Sequence, residues 1–190
     1  MSETDAVLVG RAQAGDRDAF EELVRRTSRL VYARLYLDTG DAHRAEDLLQ
    51  ETYLLAFCSI RALKDASGFR RWLLTIAQRS AIDAARRDAR LKRVPPAAAD
   101  TPLASVAGKG PSPDEHVGRE ELRERALGVL RSLPEDYRLP LTLRYIVGAD
   151  AEEIGSQLGL TNGALRGLLH RGLKMLRDRL PPDFGTEIDG

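Results

Sequence analysis

The sequence predicts an all-α protein: two small helical domains joined by a flexible linker, the second containing a helix-turn-helix. Three observations carry that prediction. Apolar residues recur at helical spacing through most of the chain, and strict alternation is scarce. Capping residues and glycines punctuate those stretches where helices start and stop. Val94 to Val117 breaks the period with Pro95, Pro96, Pro102, Pro111 and Pro113 among Ala, Gly and Ser, the composition of a linker. The expected divisions are a first domain over 1–93, a linker over 94–117, a second domain over 118–182 and a tail over 183–190.

In the first domain, residues 5 to 14 make a short apolar helix ended by Gly15, and Asp16 is placed to cap the next. That next helix carries Phe20, Leu23, Val24, Thr27, Leu30, Val31 and Leu35 on one stripe and stops at Asp38-Thr39-Gly40; Arg25, Arg26 and Arg29 lie off the stripe as a solvated face. Asp41 then caps a long helix, HRAEDLLQETYLLAFCSIRAL, with Ala45, Leu48, Leu49, Thr52, Leu55 and Ile60 expected inside. Its other side presents Asp47, Gln50, Glu51 and Leu54, an acidic and apolar strip suited to a basic partner helix. The loop from Lys64 to Gly68 leads into FRRWLLTIAQRSAIDAARRDARLKR, sealed by Phe69, Trp72, Leu73, Ile76 and Ala77 at one end and basic at the other. From Lys64 to Arg93 nine bases face three acids, whereas residues 1–63 hold eleven acids and eight bases. Charge is thus segregated as phosphate contact requires, although a solvated helix face would look the same.

In the second domain, REELRERALGVLRSL is amphipathic, and Pro134 introduces EDYRLPLTLRYIV, where Pro140 should bend the axis and Gly148 marks the end. Asp150 then caps a short helix, with Glu153 at the position from which a capping-box side chain reaches back. Gly159 suits a left-handed helix end, and Thr161 caps a last helix whose core face is Leu165, Leu169, Leu173 and Leu176. This helix carries Arg166, Arg171, Lys174, Arg177 and Arg179 against the single acid Asp178. Two helices around a tight turn, the second basic, fit the DNA major groove; two helices of an ordinary bundle remain the plain alternative.

The 29 basic and 29 acidic residues cancel, so attraction to nucleic acid has to come from local charge. Cys58 is the only cysteine, which excludes an intramolecular disulfide and favours a reducing cytoplasm; a small core residue is its expected role. No apolar run approaches the roughly 20 residues of a membrane span, and no secretory signal pattern opens the chain, so a cytoplasmic protein without membrane insertion is expected. Gly108-Lys109-Gly110 lacks the context of a phosphate loop, and His43, His116 and His170 are scattered. No catalytic, cofactor or metal residues are assigned, and an enzyme is not expected.

Taken together, AEDLLQETY, FRRWLLTIA and the Arg79, Asp83, Arg86 series, then LPEDYR, LRY and EIGSQLGL before a capped basic helix, resemble the bacterial RNA polymerase sigma factors of the small two-domain extracytoplasmic-function class. The resemblance implies that Asp47, Gln50, Glu51 and Leu54 dock on core RNA polymerase, at the coiled coil of its largest subunit, with the flap as a further contact. It implies that Lys64, Arg79, Ser80, Asp83, Arg86, Arg87 and Arg90 face the minus-ten element of promoter DNA, where bases are flipped out at a cost of a few kcal/mol. Asp83 is alternatively expected to orient Arg79 or Arg87 four residues away. Thr161, Asn162, Ala164, Arg166, Arg171 and Lys174 match the minus-thirty-five contacts, and an anti-sigma factor is an expected partner. The chain departs from the family pattern at Ser80, usually Asn, and at Gly155, usually Ala. The usual GTVKSR reads GALRGL, which brings Ala164, Gly167 and Leu168 onto the recognition helix. Two alternatives stand beside this: a stand-alone helix-turn-helix regulator, and a helical enzyme of unknown chemistry.

Overall fold

The computed structural model describes residues 3–91 and 124–180, and among these the regular structure is helical throughout. The expectations for the linker and the tail, and for Lys92, Arg93 and His116, fall outside the described residues. The first unit comprises α1 (Asp5–Gln13), α2 (Arg17–Thr39), α3 (Ala42–Ser59), two short 3₁₀ turns (Ile60–Ala62 and Ala66–Gly68) and α4 (Phe69–Leu91). The second comprises a helical stretch over 124–132, here α5, then α6 (Glu135–Tyr145), α7 (Ala151–Leu158) and α8 (Asn162–Arg179).

Local chemistry sets the helix boundaries. The Asp16 carboxylate accepts from the Ala19 N–H at 3.1 Å and that of Asp41 from Arg44 at 2.9 Å. In the second unit Asp150 accepts from Glu153 at 2.8 Å and the Thr161 hydroxyl from Ala164 at 3.3 Å. Each such cap is worth about 1 kcal/mol, because it satisfies an N–H that the helix itself cannot. Gly40 and Gly159 end α2 and α7 with φ of 75° and 66°, the left-handed region where a Cβ is penalised.

Helix α2 runs through the centre. Leu23, Val31 and Leu35 pack with Leu8 and Val9 of α1, Ala45, Leu48 and Ala56 of α3, and Phe69, Leu73 and Ala77 of α4. Burial of each large side chain contributes roughly 1.5–3 kcal/mol. Thr27 on the same helix is fully buried yet satisfied: its hydroxyl donates to the Leu23 carbonyl at 2.7 Å and lies 2.8 Å from the Tyr53 hydroxyl.

Four expectations require correction. Leu55 is 46% exposed, and Ala56 takes the inward position, because the buried row advances by four residues from Thr52 to Ala56 to Ile60. Cys58, expected inside, is exposed on the same helix. The long helix ends at Ser59 and passes into a 3₁₀ turn rather than continuing to Leu63. Arg26 leaves the solvated face and folds inward to Glu22 at 2.6 Å, Asp5 at 3.3 Å and the Glu3 carbonyl at 2.6 Å.

Candidate nucleic-acid interface

Helices α3 and α4 lie side by side, and this pairing places two candidate surfaces next to each other. On α3, Asp47 and Gln50 are exposed, Glu51 is half-buried, and Leu54 is 68% exposed. An aliphatic side chain so open on a helix whose opposite face is core is an apolar contact point without an internal partner. On the α4 side, Lys64 just before the helix and Arg79, Asp83, Arg86, Arg87 and Arg90 on it are all exposed, and from Arg79 to Arg90 the helix rises about 17 Å at 1.5 Å per residue. Two ion pairs join the surfaces: Arg87 to Glu51 at 3.4 Å and Arg44 to Asp88 at 2.5 Å. Asp83 meets Arg86 at 3.7 Å, three residues on, rather than Arg79 or Arg87.

Ser80 does not belong to this surface. It is 3% exposed, and its hydroxyl is buried without a hydrogen-bond partner. The residue lies on the row Phe69, Leu73, Ala77, Ala81, Ala84 that seals α4 into the core, a row that helical spacing carries straight past position 80.

The helix-turn-helix forms as the capping pattern required. Leu165 anchors α8 at 1% exposure, while Thr161, Asn162, Ala164, Arg166, Arg171 and Lys174 are exposed. An 18-residue helix, about 27 Å long, with an open N-terminus and cations along one side, has the size and charge for a major groove roughly 12 Å wide. Gly167 has a specific consequence: a Cβ there would sit 3.2 Å from Arg171 Nη1, so the missing side chain gives the guanidinium space to lie along the helix. Leu168 points elsewhere, into a cavity of about 510 Å³ between the two units. Glu153 does not return to its own cap; its carboxylate takes Arg29 of α2 at 2.5 Å. Sequence reasoning missed Arg29, Arg70 and Arg131 as structural residues, because their partners lie far away in the chain.

Among the described residues, no three His, Cys, Asp or Glu gather as a metal site would require, and no helix is long and apolar enough to cross a membrane.

Comparison with known proteins fits this geometry. Sigma-70 region 2 matches residues 23–91 and sigma-70 region 4 matches residues 123–176. The chain is 34% identical to the ECF RNA polymerase sigma factor SigE of Mycolicibacterium smegmatis, over 87% of this chain and 64% of that protein. It is 29% identical to SigW of Bacillus subtilis, covering 90% and 94% of the two chains. With the ECF RNA polymerase sigma-E factor of Escherichia coli it shares 31% identity over 96% and 98%. Among solved structures, CnrH in complex with the cytosolic domain of CnrY matches at TM-score 0.47 and 24% identity, over 93% of this chain and 96% of that one. The sigma factor RpoE in complex with the anti-sigma factor NepR from Bartonella quintana matches at 0.44 and 19%, over 84% and 94%. With both regions matched in order and near-full-length relatives above 30% identity, the chain belongs to the extracytoplasmic-function sigma factors of the sigma-70 family.

Proposed function

We propose that this chain binds core RNA polymerase through Asp47, Gln50, Glu51 and Leu54 and directs it to promoters, contributing recognition and melting rather than catalysis. The observation that carries this is the adjacency of two unlike surfaces on one helix pair: an acidic strip capped by the open Leu54, and the exposed cations of α4. A protein that only held duplex DNA has no use for the first. On this reading the α4 cations track the phosphates around the minus-ten element while bases leave the stack, and α8 reads the minus-thirty-five element, with Arg166 placed for a phosphate or a guanine edge. The site of action is then the cytoplasm, with the polymerase. An anti-sigma factor is part of the proposal, as the family resemblance implies.

Gel filtration of the full chain with sigma-free core polymerase is the direct test. The wild type is expected to co-elute, and Asp47→Lys to abolish or sharply reduce co-elution. Asp47 is the cleaner position, because reversing Glu51 also removes the partner of Arg87. A wild type that fails to co-elute, while still binding duplex DNA, would replace this function with that of a stand-alone regulator.

A further inference from the structure

Helix α1 fastens the loop before α4 at both of its ends. Gln13, the half-buried last residue of α1, donates through Nε2 to the Ile60 carbonyl at 2.9 Å and to the Leu63 carbonyl at 2.8 Å. Both acceptors lie beyond the end of α3, where the helical ladder has stopped, and the two N–H donors of one amide serve them together. At the other end of α1, Asp5 accepts from Arg70 Nε at 2.7 Å, in the first turn of α4. The two fastenings are about 12 Å apart along α1 at 1.5 Å per residue. Between them the loop folds on itself. The Asp65 carboxylate accepts from the Ser67 N–H at 3.0 Å and the Ser67 hydroxyl at 2.6 Å, and the Gly68 N–H donates to the Asp65 carbonyl at 3.1 Å. Leu63 and Phe69, on either side of the loop, belong to the core that Leu8 and Val9 of α1 share, while Lys64, Asp65 and Ser67 are exposed. The cations of α4 take their places from a helix sealed into the core along its opposite face. Lys64 lies between two 3₁₀ turns, so no helix holds it.

We propose that Gln13 is a positioning residue for minus-ten recognition: by holding the Ile60 and Leu63 carbonyls it sets where the loop presents Lys64 relative to the cations of α4, with the Asp5–Arg70 pair as second anchor. The inference rests on the function proposed above and gives α1, which that function leaves unused, a part in it. A group that reads a base has to be held to within about 0.5 Å, so a side chain on a loop does so only where something rigid holds the loop. Gln13 acts on the main chain directly. The Leu63 carbonyl lies in the peptide plane that ends at the Cα of Lys64, so fixing that oxygen fixes the plane from which the Lys64 side chain departs. Asp5 is the less specific anchor, since it also pairs with Arg26 at 3.3 Å. Replacing Gln13 therefore frees the loop while leaving Lys64, the α4 cations and the Asp47 to Leu54 strip unaltered.

The test has two arms on the full chain. Hydrogen exchange reads the fastening: Gln13→Met, similar in length but without donors, should speed exchange of the Leu63, Ser67 and Gly68 amides several-fold and leave the α2 amides unchanged. Gln13→Lys, whose ammonium donates to both carbonyls, should restore the slow rates. Should Gln13→Met not fold, Gln13→Asn takes its place, since it keeps the amide but is one methylene too short to reach both oxygens. Unchanged loop exchange overturns the fastening. The second arm uses each variant's complex with core polymerase to select from single-stranded DNA of random sequence. The wild type should enrich particular bases; Gln13→Met should co-elute with polymerase as the wild type does yet lose enrichment several-fold at one position, and Gln13→Lys should recover it. Lys64→Ala should flatten the same position. Selection as sharp as wild type, a loss at a different position from that of Lys64→Ala, or a uniform loss at every position, as general destabilisation gives, overturns the positioning role. A wild type that co-elutes but enriches no sequence counts against the proposed function and removes the positioning role with it.

Discussion

Gly155 lies within α7, the first helix of the helix-turn-helix, at a position where the family resemblance leads one to expect Ala, and the structure predicts that Ala is harmful in this chain. A Cβ built at Gly155 would lie 2.9 Å from the Leu160 carbonyl oxygen, about 0.5 Å inside ordinary contact. That oxygen cannot simply move away. The Leu160 N–H donates to the Gly155 carbonyl at 2.9 Å, and Thr161 immediately begins the cap of α8. Relief therefore has to come from the spacing of α7 against α8. Forcing an extra methyl into packed structure costs about 1–3 kcal/mol, while replacing Gly by Ala within a helix returns about 1 kcal/mol. The net is a loss of about 1 kcal/mol, or roughly 2–4 °C in Tm for a chain of this size. Gly10→Ala in α1 is the matched control: no atom lies within 4 Å of its Cβ position, so only the helix-propensity gain remains and Tm should rise. Thermal melts of the two variants, with anisotropy of a labelled minus-thirty-five duplex, provide the assay. A Gly155→Ala protein as stable as the wild type, with unchanged duplex affinity, would refute the steric argument.

Three further expectations concern the site and its support. Arg166→Ala should weaken duplex binding and lower the salt slope by about one, with polymerase co-elution unchanged; an unaltered slope would remove Arg166 from the interface. Ser80→Ala should stabilise the protein by about 1 kcal/mol, since the hydroxyl is buried unpaired, and leave promoter melting intact; reduced permanganate reactivity at the melted thymines would return Ser80 to the DNA surface. Burial pushes the Tyr53 hydroxyl up to about 12, opposed in part by its bond to Thr27, so the folded state holds that proton more tightly than the unfolded state does. Its contribution is complete below about pH 10 and is lost as pH rises toward 12. The stability difference between wild type and Tyr53→Phe should fall across that window, and a flat difference would contradict the assignment.

Much of this protein is written locally. Asp16, Asp41, Asp150 and Thr161 each cap an N–H three residues away, and Gly40 and Gly159 supply the left-handed ends. Such interactions depend on adjacent residues, so the helices, their capped boundaries and the exposed cations of α8 follow from the order of residues alone, whereas the uncapped end of α3 at Ser59 does not. The promoter and polymerase roles were accessible only through resemblance, because a solvated basic helix and a DNA-binding one have the same pattern.

Tertiary structure decided what depends on distant partners. Spacings of three and four residues both keep a helix stripe, so sequence could not choose Ala56 over Leu55; packing against α2 did. A capping box and an ion pair use the same carboxylate, and Glu153 faces Arg29 only because the second unit rests on α2. Ser80 is hidden by the closeness of α4 to the core, and Arg26 is drawn inward by acids contributed from α1 and its own preceding turn. Arg29 and Glu153 are 124 residues apart, and Arg26 and Gln157 are 131 apart. Helix caps and stripes are fixed by bond geometry over a few residues, whereas contacts across such separations exist only once the chain has folded, so the contact of the second unit with α2 belongs to the tertiary structure alone.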